Sequence, residues 1–230
     1  MQKVKCTAIV LAAGQGKRMG TAVQKQYLEL AGKPVLYYSL QVFQTSPLID
    51  EIILVVGEGQ QVYCEREIVS KYQISKVKSI VQGGAERYIS VWNGLREVSE
   101  GYVFIHDGAR PFIEEEMLMR AYKGVQEYQA CVVGMPVKDT IKISDKEGLV
   151  ADTPERSRLW MVQTPQVFET ALVKEAYEEL MQRAETNVTD DAMVVERMLG
   201  SKVKLVEGSY RNIKITTPED LQVANLFVKK

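Results

Sequence analysis

Two neighbouring cations follow the first apolar run of the chain, inside a loop that is rich in glycine. The run Ala8–Leu11 leads into Ala-Ala-Gly-Gln-Gly-Lys-Arg-Met-Gly, residues 12–20. Small residues let backbone N–H groups approach phosphate oxygens, and cationic side chains neutralise phosphate charge directly. Lys17 and Arg18 therefore favour a polyphosphate, above all a nucleoside triphosphate, as the ligand of this loop. The alternative is a glycine turn whose two cations are merely solvated.

The loop matches neither of two common phosphate-binding motifs. It lacks the Gly-Lys-Ser/Thr ending of a P-loop. The dinucleotide motif G-x-G-x-x-G fits Gly14 and Gly16, but Met19 stands where the third glycine belongs and Gly20 is one residue late. A dinucleotide-dependent oxidoreductase also needs an acidic residue after the second strand, where Glu58 is the candidate. These departures favour a triphosphate over a dinucleotide.

A carboxylate follows a later apolar run, in His-Asp-Gly-Ala-Arg-Pro-Phe, residues 106–112. We expect Asp107 to emerge at the end of a strand. A carboxylate with open positions beside it commonly holds Mg²⁺ in phosphate chemistry, because substrate oxygens and water complete the coordination. For Arg110 we expect an ion pair. For His106, the only histidine, we expect a structural hydrogen bond rather than catalysis.

A second glycine-rich stretch, Gly-Gly-Ala-Glu-Arg-Tyr-Ile-Ser-Val, spans residues 83–91. Gly83 and Gly84 indicate a tight turn before a helix, and Ser90 places a hydroxyl near the start of that helix. These residues either bind a nucleotide or serve as the turn and the helix cap.

The elements that must position these residues alternate between apolar runs and amphipathic segments. The predicted strands are nearly continuous in apolar residues, as parallel strands covered on both faces must be; they span residues 7–14, 51–57, 77–84, 101–107, 130–137 and 202–209. The predicted helices span residues 34–43, 86–99, 114–128, 169–183 and 189–199, with a last one starting at Pro218. This alternation predicts an α/β fold with a Rossmann-like, doubly wound, mostly parallel sheet. Ligands of such sheets bind at the carboxyl ends of the strands, so the loops above are expected to share one site.

One segment, residues 137–160, breaks the alternation of strands and helices. Ile141 and Ile143 share one face of its first half, Leu149 and Ala151 share one face of its second, and Asp-Lys-Glu-Gly between them is a turn signal. A hairpin this polar is marginal alone in water. We therefore expect a single domain, residues 1–230, from which this β-arm protrudes to meet a second subunit.

The composition of the chain limits the kinds of protein it can be. Of 230 residues, 46% are hydrophobic and 26% are charged, which is usual for a soluble domain. The net charge of −1 provides no overall field to attract nucleic acid or an anionic membrane. The first apolar run is too short to span a bilayer, and we expect a core strand there rather than a signal peptide. Three cysteines without metal-like spacing indicate a reducing, cytoplasmic setting.

Eight sequence blocks together resemble a known family. They occur in the order and spacing of the 2-C-methyl-D-erythritol 4-phosphate cytidylyltransferases of the non-mevalonate isoprenoid pathway. The blocks are residues 11–20, 25–36, 83–91, 106–112, 137–142, 155–168, 189–192 and 212–221. The resemblance implies a fold of the nucleotide-diphospho-sugar transferase type and transfer of a cytidylyl group from CTP to methylerythritol 4-phosphate, with release of pyrophosphate. It also implies Mg²⁺, or another divalent cation, as cofactor.

The resemblance assigns roles to residues on the nucleotide side. Arg18 and Lys25 would be cations that stabilise the triphosphate and the transition state, Lys214 would face the reacting phosphates, and Asp107 would be the metal carboxylate. The residues expected around the nucleotide are Ala12, Ala13, Gly14, Gly16, Lys17, Gly83, Gly84, Ser90 and Gly108. Many family members have proline before the lysine that matches Lys25, whereas this chain has Gln24.

The resemblance also assigns residues to the binding of the acceptor, the sugar-alcohol phosphate. Thr140 and Arg156, which flank the β-arm, would hold the sugar-alcohol phosphate in the site of the opposite subunit of a homodimer. Thr189 and Asp190 match a loop near that site, and Asp107 is expected to face the acceptor as well.

The chemistry of this reaction agrees with the residues available. A phosphate monoester oxygen is already anionic, so it attacks without a general base, and positioning and electrostatics carry the transfer. We expect direct in-line transfer without a covalent enzyme intermediate. Three alternatives remain at this stage: a ribitol 5-phosphate cytidylyltransferase, a dinucleotide-dependent oxidoreductase, and a non-catalytic nucleotide-binding regulator.

Overall fold

A seven-stranded sheet forms the centre of the protein. The computed structural model describes residues 3–14, 24–183 and 187–228. The strand order is β11-β7-β10-β6-β1-β4-β5. The strands of this sheet are β1 (Cys6–Ala12), β4 (Glu51–Val56), β5 (Val77–Gln82), β6 (Tyr102–Asp107), β7 (Ala130–Pro136), β10 (Trp160–Glu169) and β11 (Lys204–Glu207). Two small antiparallel pairs lie outside it: β2 (Glu29–Leu30) with β3 (Lys33–Pro34), and β8 (Ile143–Ser144) with β9 (Val150–Asp152).

The apolar strands are buried because helices cover both faces of the sheet. Along β1, Ala8 and Val10 belong to the core cluster on one face, whereas Ile9 belongs to the cluster on the other. The helices are α1 (Val35–Thr45), α2 (Gln61–Cys64), α3 (Arg87–Leu95), α4 (Glu115–Tyr128), α5 (Thr170–Met181), α6 (Asp191–Leu199) and α7 (Pro218–Val228). The first face packs against α1 and α4, and the second against α3, α5 and α6. The predicted doubly wound, mostly parallel sheet is confirmed.

The direction of winding reverses at β1. The chain moves outward from β1 to β4 and β5, then crosses back to place β6 on the other side of β1; all of these pairs are parallel. The loops that leave β1 and β6 therefore lie side by side at the carboxyl edge of the sheet, next to the point where the strand order reverses, which is where ligands of such sheets bind.

One central strand was not predicted from the sequence. β10 runs antiparallel between β6 and β7, and its register is irregular between Val162 and Gln166. Gln163, Thr164 and Pro165 interrupt the apolar pattern, and proline within a run argues against a central strand. The helical stretch at 61–70, where α2 continues into a π-helical turn, was also missed.

The last helix begins as the sequence predicted. Asp220 Oδ2 accepts the backbone N–H groups of Thr216 and Thr217 at 2.8 and 2.9 Å. The Asp220 N–H points back at Thr217 Oγ1 at 3.4 Å. These reciprocal bonds form a capping box, and they fix the segment that carries Lys214 against the start of α7.

A short β-hairpin lies within residues 137–160, the range predicted for the β-arm, and stands in solvent. Its strands β8 and β9 pair around a turn at Gly148, whose φ of 85° suits glycine. Every residue from 138 to 153 is exposed, including Leu149 at 67% and Val150 at 63%. The paired region is shorter than predicted, because Ile141 lies outside it.

In the part of the chain that the structure describes, no helix is long and apolar enough to cross a bilayer.

Candidate active site

A cleft of about 570 Å³ opens at the carboxyl ends of β1 and β6. It brings together seven residues that the sequence predicted for the site: Ala13, Gly14, Lys25, Gly84, Ser90, Asp107 and Lys214. These come from the chain between β1 and β2, the loop between β5 and α3, the first turn of α3, the end of β6 and the segment before α7. Gly16, Lys17 and Arg18 lie outside the described residues.

Asp107 lies at the floor of the cleft among three cations. Its carboxylate oxygens are 2.7 Å from Lys214 Nζ, 3.4 Å from Arg87 Nε and 4.0 Å from Arg110 Nε. Burial alone raises the pKa of this carboxyl, but Arg87, Lys214 and Arg110 lower the pKa more strongly, so the net pKa is well below its usual range. Asp107 is therefore ionised throughout the physiological pH range.

Two hydrogen bonds hold the segment that carries Lys214 next to Asp107. The N–H of Ile215 donates to Ala109 O at 2.9 Å, and Arg110 Nη1 donates to Asn212 O at 2.7 Å. Both bonds join the segment before α7 to the loop after β6. The Lys214 side chain keeps 35% of its surface exposed, so its ammonium group faces the cleft as well as Asp107.

Close packing, rather than an unusual backbone angle, requires glycine in the β5–α3 loop. A Cβ on Gly83 would overlap the Ala13 side chain and lie 2.8 Å from Ser90 Oγ. A Cβ on Gly84 would collide with Ile89. The Gly84 N–H donates to Ser90 Oγ at 3.0 Å, and that hydroxyl lies 3.2 Å from Glu86 O. Ser90 thus holds the loop against the first turn of α3.

The segment that carries Lys25 is tied to the end of β1 by a buried glutamine. Gln26 is 2% exposed, and its Nε2 donates to Ala12 O at 2.6 Å and to Gln24 Oε1 at 2.7 Å. Gln24 has φ −64° and ψ 140°, the backbone geometry that a proline ring imposes. The departure from proline at this position therefore preserves the backbone conformation next to Lys25.

His106 is structural, as expected from the sequence. It is fully buried, with Nδ1 3.0 Å from Thr164 Oγ1 and Nε2 3.1 Å from Arg110 O. Burial lowers the pKa of His106 to about 4, so the ring is neutral at physiological pH.

Arg87 lines the cleft, although no role was predicted for it from its sequence context. Its Nη1 and Nη2 donate to Asp191 Oδ1 and Oδ2 at 2.7 and 2.8 Å. Burial lowers the pKa of this guanidinium, but Asp191 and Asp107 raise the pKa more, so it stays well above the usual value. One signal was available in the sequence: an arginine at the start of a helix, where the helix dipole disfavours a cation.

Apart from Asp107, the residues predicted for the acceptor lie outside this cleft as the described residues form it. Thr140 and Arg156 are exposed at the base of the arm, and Arg156 donates to Lys138 O at 3.1 Å. Thr189 is exposed. Asp190 caps α6, because its Oδ1 accepts the Met193 N–H at 2.9 Å while Oδ2 accepts from Gln166 Nε2 at 3.0 Å.

Gly108 also lies outside the cleft lining, although it was predicted near the nucleotide. A Cβ at this residue would lie 2.8 Å from Leu36 Cδ1 and 3.0 Å from Leu11 O. The Gly108 N–H donates to Leu11 O at 2.9 Å. The absence of a side chain at Gly108 thus allows β6 to pack closely against β1 and α1.

The groups in the cleft that could coordinate a metal ion suit a cation that binds together with the phosphate groups of a substrate. Within the described ranges there is no cluster of three or more His, Cys, Asp or Glu side chains that could hold a metal. Mg²⁺ in phosphate chemistry needs one or two carboxylates, because substrate oxygens and water complete its shell. Asp107 can supply that carboxylate once Lys214 turns from it toward the phosphates.

The whole chain is similar to known cytidylyltransferases. A sequence profile of the 2-C-methyl-D-erythritol 4-phosphate cytidylyltransferase family matches residues 6–230. The enzyme of that name from Lachnospira eligens is 52% identical over 225 residues, which cover 97% of this chain and 99% of that protein. The one from Lachnoclostridium phytofermentans is 48% identical over 227 residues, covering 98% and 97%.

Solved structures show the same likeness. The 4-diphosphocytidyl-2C-methyl-D-erythritol synthase of Anaerococcus prevotii superposes with a TM-score of 0.87 at 33% identity, covering 99% of this chain and 97% of that one. The 2-C-methyl-D-erythritol 4-phosphate cytidylyltransferase of Thermus thermophilus does so with a TM-score of 0.79 at 30% identity, covering 100% of both. The resemblance carried by the eight sequence blocks is thereby confirmed, and the chain belongs to the 2-C-methyl-D-erythritol 4-phosphate cytidylyltransferase family.

Proposed function

We propose that this protein transfers the cytidylyl group of CTP to 2-C-methyl-D-erythritol 4-phosphate, giving 4-diphosphocytidyl-2-C-methyl-D-erythritol and pyrophosphate. The observation that carries the proposal is the cleft at the carboxyl ends of β1 and β6. There the carboxylate of Asp107 contacts Lys214 and Arg87, and Lys25 and the closely packed Gly84 line the same cleft. Membership of the family supports the choice of both substrates.

The reaction needs cations and positioning rather than a base. A phosphate oxygen of the acceptor attacks the α-phosphorus of CTP; the new P–O bond forms as the bond to the bridging oxygen of the pyrophosphate breaks, and no proton moves. His106 is buried and neutral, so it takes no part. Lys25 and Lys214 neutralise the charge that develops on the phosphates, and Arg18 and Lys17 are proposed to add to it.

Mg²⁺ is the proposed cofactor, with other divalent cations as substitutes. It would supply charge neutralisation at the triphosphate, and Asp107 would hold it. Ala12, Ala13, Gly14, Gly83, Gly84 and Ser90 are proposed to contact the nucleotide, since their small side chains leave backbone groups accessible.

The acceptor half of the site is proposed to come from a second subunit. Thr140 and Arg156 stand on the exposed arm rather than in the cleft, and the arm leaves Ile143, Leu149 and Val150 in solvent. An isologous dimer in which each arm reaches the partner's cleft would cover this apolar surface and complete two sites. Thr189 and Asp190, which stand just before α6, would form the edge of the cleft that receives the arm.

A cytoplasmic location is proposed from the cysteines. All three lie in the described part of the chain, unpaired and buried. Burial raises the pKa of Cys6 and Cys131 to about 12, which keeps these thiols protonated and unreactive. Unpaired thiols of this kind suit a reducing compartment.

Pyrophosphate release tests the proposed reaction. The purified protein is incubated with CTP and Mg²⁺, and with methylerythritol 4-phosphate, ribitol 5-phosphate or no acceptor. We expect release with methylerythritol 4-phosphate alone. Release with ribitol 5-phosphate would keep the chemistry and overturn the acceptor, whereas no release with either acceptor would refute catalysis and leave a nucleotide-binding regulator.

A further inference from the structure

An arginine occupies the start of a helix, where helix electrostatics disfavours it. Arg87 is the first residue of α3, and the first turn of that helix contains no acidic residue. The N-terminal end of a helix carries partial positive charge, so a cation there is unfavourable. A local conflict of this kind is expected where a residue serves a function.

Asp191 holds the Arg87 side chain in one orientation. The two guanidinium nitrogens Nη1 and Nη2 each donate to a different oxygen of Asp191. Asp191 is fully buried, starts α6, and also accepts the hydroxyl of Tyr177 at 2.6 Å. A two-point contact between a planar guanidinium and a buried carboxylate fixes the direction of both groups.

The third nitrogen of Arg87 faces the catalytic carboxylate. Its Nε is 3.4 Å from Asp107 Oδ1, while Asp107 Oδ2 is 2.7 Å from Lys214 Nζ. Each oxygen of Asp107 therefore has its own cationic neighbour, and one of these neighbours is itself locked in place. A carboxylate held from one side by an immobile group cannot rotate freely away from Lys214.

We propose that Arg87 is a positioning residue: by spanning Asp191 and Asp107 it sets the orientation of the Asp107 carboxylate, and through it the place of Lys214, relative to the first turn of α6. The proposal rests on the cytidylyl transfer proposed above. An ion pair that served stability alone would need only the contact with Asp191, whereas the contact with Asp107 predicts an effect on the chemical step.

Arg87→Lys tests this role. Lysine keeps the positive charge but cannot bond to Asp191 at two points while reaching Asp107. Misplacement of a catalytic group by about 1 Å costs about 100-fold in rate, so we expect kcat to fall about 10-fold to 100-fold, with the KM for CTP little changed. The matched control is Arg96→Lys at the other end of α3, where an exposed arginine bonds to Asn93; it should leave kcat unchanged.

A double variant separates positioning from stability. Because Arg87 acts through Asp107, Arg87→Lys should cause no further loss of kcat in a protein that already carries Asp107→Asn. Thermal denaturation is measured on each variant, and all rates are taken well below every Tm. A lowered Tm with an unchanged kcat, or two losses of kcat that multiply in the double variant, would overturn the proposal.

A second variant serves if Arg87→Lys does not fold. Asp191→Asn keeps the shape of the side chain but weakens the two-point contact, so it should lower kcat in the same direction, while Tyr177→Phe, which leaves both arginine bonds intact, should not. An unchanged kcat in Asp191→Asn refutes the proposal. Failure of the wild-type protein to release pyrophosphate with methylerythritol 4-phosphate would instead refute the proposed function.

Discussion

Gly84→Ala probes how closely the wall of the cleft is packed. The added Cβ would lie 2.5 Å from Ile89 Cβ and would also overlap Ile89 Cγ2. Carbon atoms in good contact are about 3.5–4.0 Å apart, so the loop before α3 must move by about 1 Å. Gly84 lines the cleft, and its N–H bonds to Ser90 Oγ. The movement therefore changes the surface that is proposed to meet the nucleotide.

The size of the effect follows from this displacement. A shift of about 1 Å in a positioning element costs about 100-fold in rate, so we expect kcat/KM for CTP to fall about 100-fold. Overpacking of this kind costs about 1–3 kcal/mol of unfolding free energy. The variant should therefore remain folded, with a Tm lower by several degrees.

The assay is steady-state pyrophosphate release against CTP concentration, with a thermal melt of each variant. Gly57→Ala is the matched control, because a Cβ there meets nothing nearer than 3.5 Å. Replacing Ile89 by glycine removes both clashing atoms, so Gly84→Ala combined with Ile89→Gly should recover much of the lost kcat/KM. An unchanged kcat/KM in Gly84→Ala, or no recovery in the combined variant, would show that this packing does not set the nucleotide surface.

Three further predictions concern the charges and the arm. Lys214→Met should lower kcat by about 10²-fold to 10³-fold, as the loss of a transition-state donor does; a rise in KM for CTP at constant kcat would mean that Lys214 merely binds substrate. The folded protein lowers the pKa of His106 from 6.5 to about 4. Between these two pH values the unfolded state therefore binds more protons than the folded state, so the free energy of unfolding falls as the pH drops from 6.5 toward 4. Between pH 7 and pH 5 this contribution to the free energy of unfolding should shrink by about 2 kcal/mol, and His106→Asn should remove that part of the pH dependence in denaturant titrations; a variant with the same pH dependence as wild type would refute it. Mixing inactive Arg156→Met and Lys214→Met subunits should restore about a quarter of wild-type activity, because half of the dimers then hold one intact shared site; no recovery after subunit exchange, verified by mass spectrometry, would argue against a site shared between subunits.

Much of the fold could be predicted because its signals are local. Strands buried on both faces must be nearly continuous in apolar residues, and β1, β4, β6 and β7 are. The capping box at Thr217 and Asp220 lies within four residues of chain. β10 could not be predicted from the sequence because Gln163, Thr164 and Pro165 interrupt its apolar pattern. It is a strand because it pairs with β6 on one side and β7 on the other.

The residues of the candidate site likewise differ in whether their own segment of the sequence signals a function. The glycine loops, Lys25, Asp107 and Lys214 each carry a chemical signal in their own segment, and the family resemblance linked them. Arg87 carried only a weak signal, because its meaning depends on Asp191, 104 residues away in the chain. The catalytic, nucleotide-binding and metal-binding roles assigned to these residues remain predictions, as do the acceptor roles of Thr140, Arg156, Thr189 and Asp190.

The amino-acid sequence by itself therefore determined the class of fold and the family, and it predicted which residues could bind phosphate, since apolar periodicity, turns and short motifs are properties of neighbouring residues. The tertiary structure alone decided which charges meet. One carboxylate oxygen of Asp107 lies beside Lys214 and the other beside Arg87. These groups meet because the parallel strands β5 and β6 end at the same edge of the sheet, where hydrogen bonds also attach the segment before α7. Electrostatic pairing depends on distance in space, and the order of residues along the chain does not encode that distance directly.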